Sequence, residues 1–180
     1  MFIELRSCAL VALSQETIKD FHLFLLKNKE YYQQTISSLE IELNVDSFQK
    51  QIERFFQNDR VIQFLVYRYG AIVGTTFLYW SQDGIRISNF FDKRVHSSYI
   101  PFEAVFSTID FGVKEYGIED LFFSVYEDND KMLSIVKKIN ADLISVNPSE
   151  VNLTRKVHTY KLEAFELKRW LQKYHNFINR

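Results

Sequence analysis

The feature that most constrains the fold is a run of three strand-like segments joined by two tight turns. Residues 61–67, 71–80 and 85–91 are rich in β-branched and aromatic side chains, which favour strands. The first turn holds Tyr69 and Gly70, and the second spans residues 81–84. Because each turn ends on a glycine, which tolerates a positive φ, the three segments predict an antiparallel meander.

The second half of the chain alternates helical and strand-like segments. Helices are predicted over residues 99–116 and 131–139, and strands over 121–126, 141–146 and 157–162. This alternation is typical of β-α-β units, so the sheet is expected to be mixed.

Residues at the segment ends support these boundaries. Gly117 follows the first of these helices, where a left-handed C-terminal residue is expected. Asn129 or Asp130 can cap the next helix. Gly74 stands inside a predicted strand and indicates a bulge or a point of close packing.

The N-terminal part supplies one strand and two helices. Residues 2–8 alternate in polarity and predict the first strand. Ser14 is the expected N-cap of a helix that ends near Lys27, and residues 31–34 form a polar connector. Asp46 and Ser47 are expected to cap a second helix that ends near residue 58.

These elements predict an α+β fold in one domain over residues 1–180. Its centre is a mixed, mostly antiparallel sheet of about seven strands flanked by helices. A C-terminal helical extension, residues 164–180, has an amphipathic pattern.

Composition narrows the classes of function. The net charge of −1 disfavours a nucleic-acid binder, including one that stacks single-stranded bases on aromatic rings. The single cysteine, Cys8, excludes an internal disulfide and a cysteine-based zinc cluster, and it is expected to be buried. The charged N-terminus and the lack of a membrane-length apolar run predict a cytoplasmic protein that does not bind a membrane.

Residues Arg94 to Tyr99 lead into the helix predicted over 99–116, and Glu103 and Ala104 follow within it. With the order of elements, these residues resemble the GNAT N-acyltransferases of the ribosomal-protein and sugar-amine type. The family carries Arg/Gln-x-x-Gly-x-Gly/Ala before its central helix, often followed by Glu-Ala. Asn129 matches an asparagine that the family places after its fifth strand.

Two glycines of the family's pyrophosphate loop are replaced in this chain, by Ser97 and Tyr99. The Tyr99 ring would either fill part of the pyrophosphate site or point into the core and leave the backbone amides open. The family's later Lys-x-Gly-Phe signature is also lost, at Asn140 and Ala141. Asparagine is the next best residue after glycine in the left-handed conformation that ends a helix.

The resemblance implies a CoA thioester as the acyl donor, acetyl-CoA or another acyl-CoA. The backbone of Phe90, Phe91 and Asp92 would pair with the pantetheine arm. Arg94, His96 and Ser98 would contact the pyrophosphate, with a polar turn on the surface as the alternative. The predicted cofactor-binding residues are Phe90, Phe91, Asp92, Arg94, Val95, His96, Ser97, Ser98, Tyr99, Ile100 and Asn129.

No residue stands out as the general base. Asp92 is the candidate base and Tyr126 the candidate acid, and a turn residue and a half-buried aromatic are the respective alternatives. Two positions that often hold acids in the family carry Met132 and Val136. No metal is predicted, since the four histidines lack the spacing of a metal site.

The first hypothesis is therefore an N-acyltransferase acting on a primary amine of a small molecule or a protein. The alternative is a non-catalytic GNAT-like binding domain with a degenerate cofactor loop. The acceptor contacts would come from residues 31–43 and 147–156, and the aromatic C-terminal helix either packs on the sheet or forms a homodimer.

Overall fold

The structure, a computed structural model, describes residues 1–35, 44–56, 61–149 and 154–178. The strands are β1 (Phe2–Glu4), β2 (Ala9–Ala12), β3 (Val61–Arg68), β4 (Ala71–Ser81), β5 (Gly84–Phe91), β6 (Leu121–Tyr126), β7 (Asp142–Pro148) and β8 (Lys156–Leu162). The helices are α1 (Ile18–Lys27), α2 (Lys29–Thr35), α3 (Val45–Phe56), α4 (Ile100–Tyr116), α5 (Asp130–Ile139) and α6 (Ala164–Ile178).

The strands form a single sheet with the order β1-β2-β3-β4-β5-β6-β8-β7. Neighbouring strands are antiparallel except β5 and β6, which are parallel. The predicted α+β architecture is confirmed: a mixed, mostly antiparallel sheet, flanked by helices and followed by a C-terminal helix.

The sheet has eight strands rather than about seven, because the single strand predicted over residues 2–8 is wrong. The chain reverses after β1, where the Leu5 amide donates to the Cys8 carbonyl over 2.9 Å, and returns as β2. Ser7 holds this turn because its amide and hydroxyl both donate to the buried carboxylate of Glu103 on α4. Local alternation in the sequence does not reveal such a distant partner.

The meander β3-β4-β5 follows the prediction closely. Tyr69 and Gly70 form the first turn with φ of 50° and 76°, the left-handed region that favours glycine. Gly74 is a point of close packing, since a Cβ atom there would lie 2.8 Å from the Phe90 carbonyl oxygen. The register of β3 and β4 shifts beside it, between Val66 and Tyr67, so the predicted bulge is also present.

Helices cover both faces of the sheet. On one face, Phe24 of α1 and Phe48 of α3 pack with Leu65 and Phe90. On the other face α4, α5 and α6 contribute to a cluster with sheet residues such as Leu78. Cys8 is buried as expected, and burial raises the pKa of its thiol to about 12, with a further contribution from Glu103.

Helix C-termini agree with the sequence better than N-termini do. Gly117 and Asn140 end α4 and α5 in the left-handed conformation, with φ of 64° and 57°. The predicted cap of α3 is wrong, because the Asn44 side chain accepts from the amides of Asp46 and Ser47.

Two further N-terminal predictions are corrected. Helix α1 starts at Ile18 rather than directly after Ser14, and the predicted connector 31–34 belongs to helix α2. Parts of four predicted segments lie outside the described residues, namely 36–43, 57–60, 150–153 and 179–180.

Candidate active site

The sheet opens between β5 and β6. These parallel strands pair only once, at Arg86 and Phe122. Beyond that point β5 continues along β4 until Phe91 lies opposite Gly74, whereas β6 follows β8 as far as Tyr126. The two strands therefore diverge and leave one backbone edge of β5 without a strand partner.

The Phe91 backbone faces this opening. The Asp92 amide donates to the Val73 carbonyl on β4 over 2.9 Å, and backbone direction alternates along a strand. Of the three residues predicted to offer backbone groups to a pantetheine arm, Phe91 is thus turned toward the opening, while Phe90 and Asp92 are turned toward β4.

His96 contacts the same backbone group. Its Nε2 atom lies 3.0 Å from the Phe91 carbonyl oxygen. Because a carbonyl oxygen only accepts, Nε2 carries the proton, and in a neutral ring Nδ1 is then a bare acceptor. The His96 ring also packs on Tyr31 of α2, with ring centroids 5.6 Å apart. The predicted role of His96 at a pyrophosphate stays a prediction.

The side chains of Phe90 and Phe91 anchor the end of β5 from both faces. Phe90 packs edge-on against Tyr32 of α2, with ring centroids 5.1 Å apart. Phe91 is buried together with Val95 and Ile100 beneath α4. The side chains of Val95 and Ile100, both predicted cofactor-binding residues, therefore fix the loop from inside, and the amides of both residues donate to acceptors within the loop.

A charged pair holds the turn that leaves β5. Both oxygens of Asp92 accept from the Arg94 guanidinium, over 2.9 and 2.5 Å, and one also accepts from the Arg94 amide over 3.0 Å. Hydrogen bonds from Arg94 lower the pKa of the Asp92 carboxyl. Such a carboxylate is a weak proton acceptor, so the geometry favours a supporting role for Asp92 over that of general base.

The same ion pair also occupies the hydrogen-bond donors of Arg94. Its guanidinium is bound to Asp92 and lines a cleft of about 310 Å³ between α1 and the β3–β4 hairpin, together with Asp20 and Lys27. The expected contact of Arg94 with a pyrophosphate would require this bidentate pair to break or to be shared.

The backbone amides of Ser97 and Tyr99, in the loop before α4, remain unpaired. The amides of His96 and Ser98 donate to carbonyls within the loop, and the Ile100 amide donates to the Ser98 hydroxyl over 3.3 Å. Among the described residues, nothing accepts from the amides of Ser97 and Tyr99. These are the two positions at which the resembled family has glycine, and they lie at the N-terminus of α4, where the helix dipole attracts anions.

The Tyr99 ring does not point into the core, which was one of the two orientations expected from the sequence. It lies on the surface and stacks on Phe177 of α6, with ring centroids 5.6 Å apart and planes 27° apart. Its amide stays open because the side chain is drawn toward α6.

The N-terminus of α5 faces the same loop. Asn129 caps it, since its side chain accepts from the Met132 amide over 3.1 Å. Lys131, which the sequence interpretation missed, reaches across and donates to the His96 carbonyl over 2.8 Å. A lysine in the first turn of a helix opposes the dipole, and that local conflict was the available signal.

Tyr126, the candidate acid, lies at the end of β6. The Arg155 guanidinium covers its ring at 3.8 Å, and its hydroxyl accepts from buried Ser149 over 3.5 Å. The role of Tyr126 as an acid stays a prediction. Within the described ranges, no group of three or more His, Cys, Asp or Glu residues could hold a metal ion, and no helix is long and apolar enough to cross a membrane.

Solved acetyltransferases share this fold. A ribosomal L7/L12 alpha-N-protein acetyltransferase in complex with coenzyme A matches with a TM-score of 0.76 at 14% identity, over 91% of this chain and 98% of that one. The ribosomal-protein-S5-alanine acetyltransferase from Vibrio fischeri gives 0.74 at 10% identity, over 91% and 97%. An apo nucleotide-linked sugar GNAT gives 0.72 at 19% identity, over 99% and 98%.

A scan against protein-family models and a search of curated proteins gave no match. The structural matches show the fold alone: the chain has the GNAT acetyltransferase fold.

Proposed function

We propose that this protein is an N-acyltransferase that moves an acyl group, most simply acetyl, from a CoA thioester to a primary amine. The observation that carries the proposal is the pair of unpaired amides at Ser97 and Tyr99, at a helix N-terminus beside the opening between β5 and β6. Structures of this fold in complex with CoA or acetyl-CoA add support.

The residues present fit such a donor. The amides of Ser97 and Tyr99 would hold the pyrophosphate, and the open α4 N-terminus favours its negative charge. The Phe91 backbone would pair with the pantetheine arm. Its carbonyl has two lone pairs, so the existing bond from His96 leaves one for a further donor. CoA, when acylated, supplies a thioester as the acyl source.

The chain's own catalytic groups remain few. The Tyr126 hydroxyl is the candidate proton donor, and Y126F should lower kcat while leaving the affinity for CoA unchanged.

The paired Asp92 carboxylate is a poor base, so the pH–rate profile of D92N should show the same ionisation as that of the wild type. Loss of that ionisation in D92N would restore Asp92 as the base.

The first experiment measures thermal unfolding with CoA, acetyl-CoA and a nucleotide of similar charge such as ATP. A donor at a hundredfold excess over its Kd should add about 2.7 kcal/mol to the free energy of unfolding. Release of the CoA thiol from acetyl-CoA is then followed with amino sugars, amino acids and peptide N-termini as acceptors. Lack of stabilisation by both CoA and acetyl-CoA would contradict the proposal.

A specific observation supports the second candidate, a CoA-binding domain without catalysis. The only predicted base, Asp92, is held in an ion pair, and the family's acid positions carry Met132 and Val136. Stabilisation by CoA without thiol release for any amine in the panel would favour this second function.

A further inference from the structure

An exposed aromatic surface lies beside the two unpaired amides. Tyr99 is 66% exposed, and it stacks on Phe177, which is 40% exposed. Phe102, 38% exposed, packs edge-on against the same Phe177 ring, with centroids 6.2 Å apart. Tyr99, Phe102 and Phe177 together form what we call the aromatic platform, built from the N-cap and first turn of α4 and the last turn of α6.

Tyr99 belongs both to this platform and to the pair of unpaired amides at Ser97 and Tyr99. Its amide is one of the two unpaired donors, and its ring is the most exposed member of the platform. Among the described residues Phe177 is its only ring partner, so one ring face is covered and the other is open. A planar group on that open face would lie beside any phosphate bound at the amides.

The surroundings favour a ligand that combines an anion with a planar ring. The α4 N-terminus carries a partial positive charge, and the Lys131 ammonium lies nearby at the His96 carbonyl. Aromatic side chains stack on the faces of nucleobases whatever their sequence. A nucleoside diphosphate has both parts, with a ribose that joins its base to its phosphates.

We propose that the aromatic platform binds the adenine ring of the CoA donor, with the base stacked on Tyr99. This inference rests on the proposed function, because it takes the pyrophosphate to lie on the amides of Ser97 and Tyr99. The proposal also assigns a role to Tyr99, which departs from the family pattern. A ring at a position where the family has glycine or alanine keeps the amide donor and adds a stacking surface outside it.

The test compares two ligands that both contain 4′-phosphopantetheine, of which only CoA carries the adenosine with its two further phosphates. Binding of CoA and of 4′-phosphopantetheine is measured by calorimetry for the wild type, Y99A, Y99F and F177A. F165A is the matched control, because Phe165 is a 75% exposed aromatic at the opposite end of the same helix. Thermal unfolding shows that each variant is folded.

Y99A should weaken CoA binding about tenfold, the order of effect that loss of a stacked ring has on a base. F177A should weaken it several-fold, since it removes the support beneath Tyr99. Y99F and F165A should bind CoA as the wild type does. The affinity of every variant for 4′-phosphopantetheine should stay within twofold of the wild type.

Two results overturn the inference and are distinct from each other. If the wild type binds CoA and Y99A binds it equally well, or loses both ligands to the same extent, the platform has no role in base recognition and the proposed function stands. If the wild type binds no CoA, the proposed function and the platform both fail.

Discussion

Helices α4 and α5 both begin beside the opening of the sheet, but their N-termini are completed differently. Asn129 caps α5 with its side chain, which satisfies the Met132 amide within the protein. Tyr99 precedes α4 without a side-chain cap, and the amides of Ser97 and Tyr99 stay unpaired. A capped N-terminus mainly stabilises its helix, whereas an uncapped one keeps its donors for a ligand.

The largest difference between the two N-termini should come from a carboxylate at Ser97. S97D places a negative charge where the pyrophosphate would lie, and like-charge contact costs several kcal/mol. We expect at least a hundredfold loss of CoA affinity, measured by calorimetry, with folding stability retained. S134D adds the same charge on the exposed face of α5 and should bind CoA normally. Equal affinities in the two variants would show that the amides do not bind phosphate.

The turn before α4 depends on Asp92 rather than on a cap. D92N should lower the free energy of unfolding by about 1–2 kcal/mol, because it weakens a charged hydrogen-bonded pair whose arginine is mostly exposed. The folded pKa of Asp92 is depressed, so its stabilisation is full above the unfolded value of 3.8 and is lost as the pH falls through the folded value. In denaturant titrations the two proteins should therefore differ at pH 6, and the difference should shrink as the pH is lowered below 3.8. A difference that does not shrink on acidification would mean that the carboxylate charge does not support the turn.

Removal of the side-chain cap of α5 should lower the stability of the protein. N129A should cost about 1 kcal/mol of unfolding free energy, and N129D should restore it, since aspartate caps equally well. Chemical denaturation measures both. If N129A instead keeps its stability and loses CoA affinity, Asn129 contacts the donor, as the family resemblance implies.

The smallest effect should come from Lys131, the cation that bridges the two N-termini. K131M should weaken CoA binding by roughly two- to fivefold, as an exposed charge contributes little, and should reduce the salt dependence of binding. Because a cation opposes the dipole in the first turn, the free energy of unfolding should rise by a few tenths of a kcal/mol. K137M, in the last turn of α5, should change stability in the opposite direction. If K131M and K137M change the free energy of unfolding equally, Lys131 does not have the role assigned to it.

Much of the fold was predictable because it depends on local signals. Turn glycines and strand-like composition located the meander, and Gly117 and Asn140 ended α4 and α5 as expected. The turn between β1 and β2 was missed because it depends on Glu103, which lies 96 residues from Ser7 in the chain. The cap at Asn44 was missed because Asp46 and Ser47 have the same local chemistry.

In the candidate site, too, local features were predictable and contacts between distant residues were not. The sequence located the loop from Asp92 to Ile100 and identified Ser97 and Tyr99 as its unusual positions. It did not predict that Arg94 is bound to Asp92, nor that Lys131 reaches His96 from another helix. Both contacts depend on side-chain orientation, which hydrophobic periodicity does not specify.

The sequence by itself determined the order of elements and the position of the loop before α4, because hydrophobic periodicity and glycine act over a few residues. Only the tertiary structure decided whether that loop is open. The Tyr99 ring stacks on Phe177, a residue 78 positions later in the chain, and the Tyr99 amide is left unpaired. Stacking on α6 sets this orientation, and no local pattern around Tyr99 could predict it.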